Sequence, residues 1–148
     1  MGASAWDYYV PYQPDINAAL LELQAKVLAD GTYYWAGGGA AFGQAVHEEN
    51  RPTSMDDLWA DETVQSEGTH SILDMERVVS PGERPGFASV EPVTPDEARG
   101  CAGTEILTRE HAPLIKDLAS RRWYGRCAVL HDPDGHPAEI YFFGYSGD

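Results

Sequence analysis

The chain has 148 residues, of which 43% are hydrophobic, 11% aromatic and 23% charged. That is the size and composition of one folded domain with its own core, and it excludes disordered and fibrous chains and two large domains. A net charge of −14, from 24 Asp and Glu against 10 Lys and Arg, repels phosphate backbones and anionic lipid surfaces, and no apolar run could span a bilayer; neither nucleic acid nor membrane is expected as a partner.

Trp6, Tyr8, Val10 and Tyr12 recur at period two and predict a first strand, with Pro11 at its end or on an edge. Asp15 is placed as a helix N-cap, and Ile16, Ala19, Leu20, Leu23, Val27 and Leu28 follow at helical spacing until Gly31 stops the helix. Thr32 to Trp35 reads as a short aromatic β segment. Gly37, Gly38, Gly39 and Gly43 disfavour regular structure, so residues 37–50 are expected to form a flexible loop. Ser54 caps an acidic helix running to Val64, with Met55, Leu58 and Trp59 turned inward and Asp56 and Asp57 where the helix dipole favours acid.

After Gly68, the segment Thr69 to Val79 reads as a central strand, because Ile72 and Leu73 are adjacent and both faces then need cover. Residues 80–87, rich in Pro and Gly, form a flexible connector to a short strand at Ala88 to Val90. Thr94 followed by Pro95 has the signature of a helix start, and Leu114, Ile115 and Leu118 mark a further helix from His111 to Arg121, with Pro113 in its first turn. Tyr124 to His131 and Ala138 to Tyr145 flank Asp132-Pro133-Asp134-Gly135-His136 and predict a C-terminal β-hairpin. This order implies a single α+β domain over residues 1–148, an antiparallel or mixed sheet of about five strands with helices packed mainly on one face.

The glycine run fits neither phosphate-binding pattern, so no cofactor is expected. His131, His136, Asp132 and Asp134 meet across the hairpin, but turn geometry accounts for the aspartates and no metal is expected. Cys101 and Cys127 lack metal-binding spacing, and the N-terminal residues lack a signal-peptide pattern. A reduced, cytoplasmic protein is expected, and the predominance of Arg over Lys suits a high-GC bacterial source.

Two classes of function follow from the residues. Glu48, Glu49, Asp56, Asp57, Asp61, Glu62 and Glu67 face Arg51 alone across residues 48–67. Such a surface steers a cationic protein, as an immunity or antitoxin-type inhibitor of a basic partner would. The alternative is a small cofactor-independent enzyme or small-molecule-binding protein of resistance or biosynthesis. There Tyr8, Tyr12, Tyr141 and Tyr145 would line a pocket on the sheet, Arg126 would anchor an anion, and His70, Asp74 and Glu139 would act as acid or base. With helices on one side, the second sheet face would be aromatic and partly exposed, and a homodimer is a further use for it.

Overall fold

The computed structural model describes residues 3–35 and 50–147. Its five strands are β1 (Ala5–Pro11), β2 (Arg77–Val78), β3 (Ser89–Pro92), β4 (Gly125–His131) and β5 (Pro137–Tyr145), in sheet order β1-β5-β4-β3-β2. β5 pairs antiparallel with both β1 and β4, whereas β3 runs parallel to β4 and β2 parallel to β3. The domain is thus α+β, a mixed five-stranded sheet ending in a hairpin, with its helices packed mainly on one face.

Helix α1 (Ile16–Asp30) begins where the Asp15 side chain accepts from the Ala18 amide and ends at Gly31, whose φ of 68° suits a residue without Cβ. It lays Ala19, Leu20, Leu23 and Val27 on the sheet face formed by Trp6, Val90, Cys127, Ile140 and Phe142. Ser54 caps α2 (Met55–Trp59) as expected, but the acidic helix does not run on to Val64. Asp61 accepts from the Thr63 and Val64 amides and so starts a separate helix, α3 (Glu62–Glu67). Leu58 and Val64 anchor the two short helices in the same core.

The segment expected as a central strand is mostly not a strand. Ser71 caps a 3-10 turn at Ile72–Asp74, and only Arg77 and Val78 join the sheet, at its edge. The cause lies in α1, where buried Gln24 donates to the carbonyls of Ile72 (3.1 Å) and Met75 (2.6 Å) while Asn17 accepts from the Val78 amide (2.9 Å). Helical side chains thereby satisfy backbone groups that a strand neighbour would otherwise take. Thr32 to Trp35 is likewise no strand, and Tyr34 makes a single backbone hydrogen bond to Thr69.

The second sheet face is covered, which corrects the expectation of an exposed aromatic surface. Parallel neighbours β3 and β4 need a crossover connection, and theirs carries α4 (Pro95–Ala102) and α5 (Ala112–Ile115). Ala98, Leu107, Ala112, Ile115 and Ala119 bury Tyr141 and Phe143 there, each to 1% exposure. Thr94 and Glu97 form a full capping box on α4. The expected helix from His111 to Arg121 is cut to one turn flanked by 3-10 turns at Arg109–His111 and Lys116–Leu118. The connector over residues 80–87 is held by an Arg77–Glu83 ion pair and a Glu83-to-Ser80 backbone bond, and the loop expected at 37–50 lies almost wholly outside the described residues. No helix among the described residues is long and apolar enough to cross a membrane.

Candidate functional site

His70 and Asp74 do not lie on one strand face. Asp74 is fully buried in the 3-10 turn, where Oδ1 accepts from the Thr69 amide (2.6 Å) and the Thr69 hydroxyl (2.8 Å). Burial holds its carboxyl above the usual carboxylate range, against the lowering effect of these bonds. A Cβ at Gly68 would come within 2.6 Å of Asp74 Oδ2 and 2.7 Å of Ser146 Oγ, so glycine is required at that point, where φ is 77°. His70 stacks on Tyr34 at 4.4 Å between ring centroids, and burial raises the Tyr8 phenol beside Ser71, Ile72 and Asp74. Three residues from the two sets of candidates, His70, Asp74 and Tyr8, therefore meet, in a knot that ties the 69–74 turn to β1 and to Ser146 just after β5.

Glu139 is not part of that knot. It lies seven positions before Ser146 along β5, roughly 20 Å away at strand rise, on the face opposite Ile140 and Phe142, and beside Arg109 at 3.8 Å. Arg126, only 8% exposed, gives its donors to Glu97 and to the carbonyls of Glu91 and Pro92. This takes it from the role of anion anchor to that of a clamp between β4, β3 and α4. Tyr141 is buried and donates to Asp7 (2.9 Å), Tyr145 is half-buried against the second core, and Tyr12 lines a separate hollow between β1 and α1. These placements disperse the pocket expected on the sheet.

At the hairpin, Asp132, Asp134 and His136 each offer a ligand atom within 4.8 Å of one another. Asp132 Oδ1 already accepts from the Asp134 and His136 amides, which is ordinary turn chemistry and holds its carboxyl low. His131 is turned away toward the Leu107 carbonyl, at 2.9 Å. Neither cysteine is in a disulfide, and burial pushes the Cys127 thiol up to about 12, which leaves it inert as a nucleophile.

The acidic candidates divide. Glu48 and Glu49 lie outside the described residues. Asp61 is committed to capping α3 and to the Trp35 indole (3.3 Å), whereas Asp56, Asp57 and Glu62 are exposed, as is Glu67. Asp56 also lines a cleft of about 370 Å³ with Met55, Trp59, Asp74, Met75, Glu76, Phe87 and Ala88. Sequence reading does not find this cleft. Its aromatic lining is Trp59 and Phe87, and both rings pack at a tilt on Trp123, which does not itself line the cleft, at 6.0 Å and 5.3 Å between centroids. Phe87 is 57% exposed, a large apolar ring in a connector of Pro, Gly and charge, and that oddity is the one signal the sequence offers.

The backbone around the cleft is strained. Ala88 (φ 61°) and Trp123 (φ 69°) both have positive φ without being glycine, and the Ala88 amide donates to the Trp123 carbonyl at 3.0 Å. Behind the Trp123 ring sits Gly147, where a Cβ would meet the indole at 1.9 Å. A larger hollow of about 690 Å³ at the end of α1 has no aromatic residue in its lining among the described residues. No protein-family model matches the chain, and searches of curated proteins and of solved structures found no match.

Proposed function

We propose that this chain is a binding protein for a basic protein partner, of the immunity or antitoxin-like inhibitor class. One observation supports it above all. Asp56, Asp57, Glu62 and Glu67 stand exposed on α2 and α3, and among the described residues no Lys or Arg forms an ion pair with them. Several carboxylates elsewhere are paired, as in Arg77–Glu83, Arg99–Glu105 and Arg126–Glu97, and those without an ion pair among the described residues, such as Glu22, Glu110 and Asp117, are scattered rather than gathered on one pair of helices. Short helices pinned by Leu58 and Val64 hold the acidic groups in fixed positions, so little ordering entropy opposes capture. With a net charge of −14, the field also speeds encounter with a cation.

The test is a pull-down at low and high salt, with Asp57→Lys, Glu62→Lys and Glu67→Lys combined as the control. Asp61 is left intact because its cap starts α3. The expected result is one basic protein in stoichiometric amount, retained at low salt, released at high salt and absent with the triple variant, whose circular dichroism is unchanged. Retention that ignores the charge reversal, or no retained protein at all, would remove this reading.

A further inference from the structure

We propose that the cleft between α2 and β3 is a guanidinium seat, taking one arginine side chain of that basic partner; the proposal rests on the function just given and names the chemistry of its contact. The cleft has the two components that such a group needs. Its wall offers the rings of Trp59 and Phe87, joined through Trp123, and its lining includes the carboxylate residues Asp56 and Glu76, both exposed. A planar, weakly hydrated guanidinium stacks on such rings while its donors serve carboxylates beside them, whereas a compact, strongly hydrated ammonium does this poorly. At about 370 Å³ the space lies in the range of ligand pockets.

The chain uses the same contact internally. Arg109 lies 3.9 Å above the Tyr9 ring, Arg121 lies 4.0 Å above Tyr124, and Arg51 lies 4.9 Å from the Tyr33 centroid. Among the described residues, none of these three cations lies over Trp59 or Phe87, the two rings that line the cleft beside exposed Asp56 and Glu76. The positive φ of Ala88, which lines the cleft, and of Trp123, together with the close approach of Gly147 to the indole, restrict how the Trp123 ring that supports Trp59 and Phe87 can sit. Backbone strain of this kind is maintained where a structure holds a site in shape.

The experiment follows the indole N–H resonances during titration with N-acetylarginine amide, N-acetyllysine amide and neutral N-acetylcitrulline amide. We expect saturable shifts at Trp59 and Trp123 with the arginine compound, binding about fivefold weaker for the lysine compound, and no saturation with citrulline. Phe87→Ala and Glu76→Gln, both at exposed positions, should each weaken arginine binding about fivefold. Gly147→Ala should weaken it by displacing Trp123, on which both lining rings pack. An equal response to citrulline or lysine, shifts confined to other tryptophans, or full binding by Phe87→Ala would overturn the proposal. The capture experiment reads α2 and α3 outside the cleft, and this titration reads the cleft alone. Failure of the titration with salt-sensitive capture intact removes the guanidinium seat only, whereas arginine binding without capture removes the basic-partner reading and with it the partner's arginine as the occupant.

Discussion

Asp74 is the residue whose environment most opposes its chemistry, a carboxyl with no exposure and a pKa raised chiefly by loss of solvent. An acid with a raised pKa in the fold contributes stability that is fully present below its unfolded value of about 4 and is lost as pH rises through the folded value. Asp74→Asn keeps the acceptor for Thr69 and removes the titration. The urea midpoint of wild type minus that of the variant should therefore fall as pH rises above about 4, then level off. A difference flat in pH would show that the buried carboxyl does not titrate differently in the fold. Arg126 carries the opposite sign, since its hydrogen bond holds Glu97 low, stabilising the fold above the unfolded carboxylate pKa and losing that contribution under acid. Arg126→Ala should cost about 2–4 kcal/mol by urea denaturation at neutral pH, because it orphans Glu97 and two carbonyls. A loss under 1 kcal/mol (roughly an exposed ion pair) would mean that the clamp contributes nothing beyond its charge.

At the scale of elements, Trp6 decides how β1, β4 and β5 meet. Its ring lies over the cross-strand pair Gly125 and Gly144, where a Cβ would stand 2.9 Å and 2.5 Å from the indole. Gly144→Ala should destabilise by about 1–3 kcal/mol through overpacking, and the loss should shrink in a Trp6→Phe background, as a double-mutant cycle would show. Equal losses in both backgrounds would place the clash at the Tyr124 carbonyl instead, 2.8 Å from the same Cβ. The period-two pattern of β1, the helical spacing of α1, the caps at Asp15, Ser54 and Thr94 and the hairpin turn are legible in the sequence because each is decided by neighbours within a few residues or a strand pair. Residues 69–79 are misread because Gln24 and Asn17, distant in sequence, satisfy their backbone, and the second face is misread because a parallel β3–β4 pair cannot be inferred before its crossover is. The candidate site divides in the same way. The exposed acids of α2 and α3 form one contiguous run, whereas Trp59, Glu76, Phe87 and Trp123 meet only through tertiary packing.

Over the whole molecule, one quantity acts on folding and on binding with opposite signs. A chain of net charge −14 repels itself when compact, and the exposed acids of α2 and α3, which lack ion pairs among the described residues, contribute to that repulsion. Salt screens this self-repulsion with a Debye length that falls from roughly 30 Å at 0.01 M to about 3 Å at 1 M. The urea midpoint should therefore rise with sodium chloride, by more than specific pairs such as Lys26–Asp30, half-exposed and weak, can offset. The same screening should weaken capture of a basic partner, so stability and retention should move in opposite directions across one salt series. Charge reversal at Asp57, Glu62 and Glu67 should flatten both responses together, because it takes the net charge from −14 to about −8. A variant that loses the salt dependence of binding while keeping that of stability would place the self-repulsion elsewhere on the surface, and leave α2 and α3 as a recognition surface without a stability cost.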